Sequence, residues 1–380
     1  MKRKVVLFIL MMMTAAMLAT GCKSNTKTTQ TEEATEQSAT ENASIDLIDT
    51  WDAKASVTLG KKVSIDGDGI TQDGNTLTIT EGGAYTFTGT SEDVCIVVDT
   101  DDDVKIVLNG VTMTYANGPV IYGKNSNSLY VETAEGSTNV LSDGTEYDTD
   151  EDGKAIGKAT IFSKDDLILL GSGTLQVTGN FKHGICSNDS VYFEGGTYDI
   201  TASVKDGVHA NDLITVDDGS FTITAASDVM ESEGDLVING GTIEGTSDDE
   251  GIESKNVLTV NGGTITLSCV DDGFNATSDI TINDGKISIT ASTGDAIDSN
   301  GTMTINGGTI IAYGGMVPEG ALDCDMQEIV INGGTIVAIG DENSAISEES
   351  KQVSVLLGSY TKGSNIAIVD ASGTEVYAFT

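Results

Sequence analysis

The sequence predicts an all-β protein, a single-stranded right-handed parallel β-helix with about 22 residues per coil. Three observations point there. A Gly turn of the Asn-Gly-Gly-Thr type recurs at nearly even steps, from Gly171, Glu194, Asp217, Asn239, Asn261, Asn283, Asn306 and Asn332. Repeats this short mean a solenoid, in which each unit buries its face on its neighbours. Apolar residues flank each turn at a spacing of two, which puts them on one strand face. The composition, with 45 Gly, 2 Pro and 5% aromatics in 380 residues, suits short, regularly turned strands better than helices.

The apolar columns fix the coil. Before the turn stand Ile168, Val191, Ile214, Leu236, Leu258, Ile280, Met303 and Ile329. Two positions on stand Leu170, Phe193, Val216, Ile238, Val260, Ile282, Ile305 and Ile331. After the turn, Leu175, Tyr198, Phe221, Ile243, Ile265, Ile287, Ile310 and Ile336 make a third inward column. Gly permits the left-handed corner between strands. The Asn at each turn suggests a side-chain amide ladder between coils.

The chain divides in order. Residues 1–21 read as a lipoprotein signal: basic Lys2-Arg3-Lys4, an apolar run from Val5 to Ala19, then Leu18-Ala19-Thr20-Gly21-Cys22. The apolar run is too short to span a bilayer comfortably. The last five residues resemble a bacterial lipobox, in which Cys22 is lipidated and becomes the new N-terminus. Residues 22–44, rich in Thr, Glu, Ser, Asn and Gln, read as a polar tether. Residues 45–158 are expected to form irregular N-terminal coils, 159–350 the regular repeats, and 351–380 a C-terminal coil or cap covering the open edge. The folded part is expected on the outer face of the cytoplasmic membrane, lipid-anchored and monomeric.

The chain carries 59 Asp+Glu against 19 Lys+Arg, a formal charge of −40. A polyanion of this strength excludes nucleic acid and anionic bilayers as partners of general electrostatics. Cys95, Cys186, Cys269 and Cys324 form no CxxC pair, and His183 and His209 are the whole His complement. Zinc and a disulfide framework are therefore not expected.

Part of the acid is periodic. Each coil has a second motif, aligned on Ile185, Val208, Met230, Ile252, Phe274, Ile297, Leu322 and Ile346. A small residue precedes it in every coil but one, the exception being Val229. Two positions before it stand His183, Asp206, Asp228, Glu250, Asp272 and Asp295; one after stand Cys186, His209, Glu231, Glu253, Asn275, Asp298 and Asp323. Asp249, Asp271 and Asp325 lie alongside. In a parallel sheet equivalent positions stack about 4.8 Å apart. Unit charges at that spacing repel by about 0.9 kcal/mol in water and about 3–4 near a protein surface. Either these carboxylates hold protons or divalent cations sit between coils. Oxygen donors in irregular clusters suit Ca²⁺. The candidate ligands are Asp206, Asp228, Glu231, Asp249, Glu250, Glu253, Asp271, Asp272, Asp295, Asp298 and Asp323. A residue two before an inward one has inward parity in a straight strand, so the first acid column must sit in a bend.

With the repeat laid out, Ala159 to Asn180 (ATIFSKDDLILLGSGTLQVTGN), Val97 to Met113 (VVDTDDDVKIVLNGVTM) and the coils with NGGT turns resemble a bacterial family. These are carbohydrate-binding lipoproteins of cellulose and acidic sugars with a pectate-lyase-like β-helix. The resemblance covers roughly Ile45 to Ser347. It implies a calcium-bearing β-helix that binds plant cell-wall polysaccharide at the cell surface without cleaving it. His183 and Val229 depart from the pattern, which puts full metal sites at the Ile185 and Met230 coils in doubt.

The rival function is a calcium-dependent pectate lyase, which needs a strong base beside the metal. Arg3 is the only Arg and leaves with the signal, so the base would be Lys182, Lys205 or Lys255. A paired-carboxylate glycosidase is weaker, because stacked repeats create acid pairs by architecture alone. A structural or adhesive surface role is the third class. For sugar contact, Phe181 and Tyr192 are the expected outward aromatics and Lys205 and Lys255 the adjoining cations. Trp51 and Tyr313 are further aromatic candidates, whereas Tyr198 and Phe274 fall on inward columns. Bound Ca²⁺ with open positions could bridge to uronate.

Overall fold

The computed structural model describes residues 45–325, 327–359, 364–369 and 372–379. Cys22 and the tether lie outside them. Every regular element described is a strand. The chain winds into a parallel β-solenoid of about 11 turns, spaced about 23 residues apart. This is the parallel β-helix that the repeat predicts.

Each coil lays down three short strands. Val208–Ala210, Leu213–Val216 and Ser220–Ala225 are one set, and each pairs in parallel with its equivalent in the next coil. The last two are joined through the Gly corner as one bent strand, Leu213–Ala225. The outcome is a 20-stranded sheet folded over two faces and a separate 12-stranded sheet on the third. Strand Thr138–Asp143 pairs with Val104–Tyr115 before it and Thr174–Gly179 after it, so one ladder runs from the N-terminal strands into the repeats. At the far end, Ile366–Val369 and Glu375–Phe379 form an antiparallel hairpin in a sheet of its own. Val353, Val355 and Leu356 before it are exposed rather than stacked on the last coil.

The core is the set of inward columns. The third column holds throughout: Leu175, Tyr198, Phe221, Ile243, Ile265, Ile287, Ile310 and Ile336 are successive ladder partners. Two alignments shift. Leu167 and Leu169, not Ile168 and Leu170, pair with Val191 and Phe193 and enter the core. At the other end Ile346 bridges Ile329 instead of following Leu322, because the last coil is cut short. The four cysteines are free and buried.

Two corner positions show why residue size is dictated. Gly263 has φ of +93°, and a Cβ there would stand 2.9 Å from the Gly240 carbonyl. In the small column, a Cβ on Gly207 would lie 2.3 Å from Ile223 Cγ2. Val229 escapes this restriction because the residue opposite it, where Ile223 stands one coil earlier, is Gly245.

The amide ladder is present. Asn261, Asn283, Asn306 and Asn332 each donate from Nδ2 to the Oδ1 of the Asn one coil earlier, at 2.7–2.8 Å. Asn261→Ala removes a rung and with it two hydrogen bonds, leaving Asn239 Oδ1 without its donor and Asn283 Nδ2 without its acceptor. Its expected effect is a loss of about 1–2 kcal/mol, read as a lower denaturant midpoint with unchanged slope.

Candidate functional site

The third sheet carries the acids. Its strands are only three residues long in the regular coils, such as Met230–Ser232 and Ile252–Ser254. The middle residue points outward between two inward ones. Register makes these a single file: Cys186, His209, Glu231, Glu253, Asn275, Asp298 and Asp323. The same file continues upstream through Phe162, Tyr122 and Val97.

Beside it runs the second file, Asp206, Asp228, Glu250, Asp272 and Asp295, set in the bends just ahead of the strands. Backbone hydrogen bonds step along it: Gly207 N to Asp228 O, Val229 N to Glu250 O, Gly251 N to Asp272 O, and Gly273 N to Asp295 O. One carboxylate oxygen also helps hold the bend. Asp228 Oδ1 accepts the Glu250 N–H at 3.0 Å, and Asp272 Oδ1 accepts the Asp295 N–H at 2.7 Å. Asp is thus short enough to cap the next coil with one oxygen while its carboxylate also meets a neighbouring side chain, Glu250 for Asp228 and Asn275 for Asp272.

The two files converge. Ligand atoms of Asp206, Asp228 and Glu231 all lie within 4.8 Å of one another, as do those of Asp228, Glu250 and Glu253, and of Asp295, Asp298 and Asp323. Asp249, Glu250 and Asp271 form a fourth, more exposed group of the same span. Asp228 and Glu231 of the Met230 coil thus fall within these groups despite Val229. Asp272 is not in any of these groups, and its side chain bonds Asn275 at 3.0 Å.

Bare, these carboxylates are frustrated. Burial first, then the charges of Asp271, Glu250 and Glu319, push Asp272 up to about 7. Burial and the neighbouring Asp272, Asp323, Asp325 and Glu319 push Asp298 up to about 7. Asp228 rises through burial, a hydrogen bond shared with Glu250 and the nearby acids. Asp295 rises through burial, although the Gly320 amide opposes it. A hard divalent cation between coils would satisfy the same oxygens without protons. The oxygen-only clusters fit such an ion.

The N-terminal end of the site differs. His183 Nδ1 stands 2.9 Å from Asp206 Oδ2, and His209 Nδ1 stands 3.1 Å from both Asp206 Oδ2 and Glu231 Oε2. The imidazoles stack with centroids 4.5 Å apart. Burial opposes ionisation of Asp206, but the two imidazoles outweigh it and hold this carboxyl well below the usual range. Burial likewise pulls His209 down, yet Asp206 and Glu231 raise it to about 9.

The sugar-contact candidates scatter. Tyr192 is half-buried and flanked by inward Val191 and Phe193 on a different face from the acids. Phe181 is half-buried too, stacked on Tyr147 at 4.1 Å. Trp51 packs edge-on against Tyr130. Lys205 is exposed. Lys255 lies 2.5 Å from Glu253 and 3.6 Å from Glu231. Burial would lower its pKa, but those two carboxylates and Glu250 raise it, so Lys255 stays charged.

Sequence reasoning missed an aromatic pair. Tyr122 and Phe162 stack at 5.6 Å at the head of the outward file, with Lys164 5.9 Å above the Tyr122 ring. They line a cleft of about 480 Å³ whose rim also carries Lys124, Lys158 and Lys154. The available signal was the file itself, since both aromatics are in register with Glu231 once the coils are aligned.

The third face of the solenoid thus carries aromatics, then imidazoles, then carboxylates, in register from coil to coil. Residues 73–320 match the family described as carbohydrate-binding domain-containing protein, and the chain belongs to that family. A carbohydrate-binding domain-containing protein of Acetivibrio thermocellus is 35% identical over 147 residues, 37% of this chain and 51% of the relative. The chain thus spans about half the length of that curated relative. A solved structure titled as the polysaccharide lyase-like protein from C. thermocellum, gadolinium derivative, is 24% identical. It covers 76% of this chain and 100% of its own, with a TM-score of 0.49.

Proposed function

We propose that the protein is a non-catalytic, cell-surface binder of plant cell-wall polysaccharide, with acidic chains such as polygalacturonate as the preferred ligand. Cellulose is the neutral alternative. The carrying observation is the outward file on the third face. Its carboxylate clusters would hold Ca²⁺, supplied by Asp228, Asp249, Glu250, Glu253, Asp271, Asp295, Asp298 and Asp323. Calcium with open positions would bridge to uronate carboxylates, and the Tyr122/Phe162 cleft with its lysine rim would take sugar rings at the other end. Lipidation at Cys22 would keep the monomer on the outer face of the cytoplasmic membrane.

Non-catalysis is supported by the state of Lys255, which its carboxylate partners hold as a cation and so remove as a base. Lys182 and Lys205, both exposed beside the acid files, are the remaining candidates for a lyase base, Lys205 standing next to buried Asp206. Two measurements test the reading together. Polygalacturonate should retain the protein in Ca²⁺ and release it in chelator, and equal retention in both rejects the calcium bridge. Under the same conditions no unsaturated product should absorb at 235 nm, and Ca²⁺-dependent turnover that Lys205→Ala abolishes would make the protein a lyase.

A further inference from the structure

His183, Asp206, His209 and Glu231 are not explained by calcium, which takes oxygen donors. The two histidines are far apart along the chain and follow no metal-binding spacing in sequence. The solenoid brings them together diagonally, His183 at the head of strand His183–Ser187 in one coil and His209 in the strand file of the next. His183, Asp206 and His209 are each more than nine-tenths buried. His183 Nδ1, although 2.9 Å from Asp206 Oδ2, lacks the alignment of a hydrogen bond and is a buried nitrogen with no hydrogen-bond partner. An orphaned buried nitrogen aimed at a carboxylate is a costly arrangement unless something else binds both.

We propose that His183 Nδ1, His209 Nδ1 and Asp206 Oδ2, with Glu231 Oε2 alongside His209, form a site for a divalent transition metal ion of the Zn²⁺ class, separate from the calcium clusters. Geometry carries it. A tetrahedral ion with bonds of about 2.0–2.1 Å keeps its ligands about 3.3 Å apart. Here His183 Nδ1 to Asp206 Oδ2 is 2.9 Å and His209 Nδ1 to Asp206 Oδ2 is 3.1 Å, and the ligand atoms of these three residues all lie within 4.8 Å of one another, so small outward movements admit the ion, with Glu231 Oε2 approaching from beside His209 at 3.1 Å. Both imidazoles offer the same nitrogen and are held nearly parallel by their stacking. A mixed N₂O₂ donor set selects borderline ions over Ca²⁺. Cys186 is in register with His209 but is not a ligand: burial lifts its thiol to about 12, and it bonds the Ser187 carbonyl instead. Asp206 and Glu231 then belong to this site, and calcium begins at Asp228, Glu250 and Glu253. The inference goes beyond the calcium reading and stands without it.

The test uses the full chain, stripped with chelator and titrated with Co²⁺ as a coloured substitute, with and without excess Ca²⁺. The expected result is one Co²⁺ per chain with the intense visible bands of four-coordinate cobalt, bleached by Zn²⁺ and unaffected by Ca²⁺. His183→Gln and His209→Gln should each weaken binding more than about 100-fold, beyond the loss seen for an outer-shell partner. Asp298→Asn, four coils away, should leave it intact. No Co²⁺ uptake, uptake displaced by Ca²⁺, or uptake indifferent to both His substitutions overturns the site. Binding without any Ca²⁺ uptake upholds it while rejecting the calcium reading.

Discussion

Calcium added to the chelator-stripped protein raises its melting temperature, and the gain grows with pH. One filled site stabilises by about 2.7 kcal/mol at a hundredfold excess over its Kd. For a domain of this size that is on the order of 5 °C per site. The pH dependence follows from the acids. Asp272 and Asp298 titrate near 7 when folded and bare, above the ordinary 3.8 of the unfolded chain. The folded state therefore holds protons that the unfolded chain has lost. This contribution is intact below about pH 4 and drains away as pH climbs toward 7. His209, raised to about 9, adds a loss between about pH 6.5 and 9. Metal-free protein should thus melt progressively lower from pH 4 to 8, and Ca²⁺ should restore most at pH 8. Scanning calorimetry at several pH values decides it. A calcium effect that is absent, or largest at pH 5, would reject ions among these carboxylates.

Phe221→Ala should be the most damaging single core change. Phe221 is 1% exposed, stacks on Tyr198 at 4.9 Å and meets Phe193 edge-on at 5.0 Å. Truncating a buried Phe costs about 3–5 kcal/mol, and the lost aromatic contacts are part of it. Because solenoid coils touch only their neighbours, the damage should stay local. Hydrogen exchange should loosen the ladder from about Tyr198 to Ile243 first, and leave amides beyond Ile310 protected. Phe221→Leu should lose well under half as much. Uniform loosening of all coils would show a cooperative core instead.

Much of this fold was legible because the coil has two clocks, the Gly turn and the alternation of apolar residues. Where both run, as from Tyr198 to Ile310, inward residues could be assigned individually. At Leu167-Ile168-Leu169-Leu170 the alternation stops, since four apolar residues in a row fit either parity, and the alignment slipped by one. At Ile346 the spacing clock failed, because a shortened last coil no longer stacks on its predecessor. The stacking of carboxylates was readable for the same reason as the core. Which of them converge was not, because that depends on bend geometry: Asp272 turns to Asn275 while Asp228 meets Glu250. The His183–His209 pairing was hidden by lying across two files and two coils. The Tyr122/Phe162 cleft was hidden by the irregular spacing of the coils around it.

The exchange of Val229 against Gly245 has an evolutionary consequence. A bulky residue and its compensating gap lie within the same turn of chain. Excising 229–250 would remove both and leave a seam that fits. Excising 240–261, an equal length, would take the gap alone and drive Val229 into Leu267. A 22-residue cut that starts anywhere from 224 to 229 takes both residues and is tolerated at this point, whereas one that starts from 230 to 245 is not. A module cut just after Asp228 would also carry Glu231 and Glu250 along together.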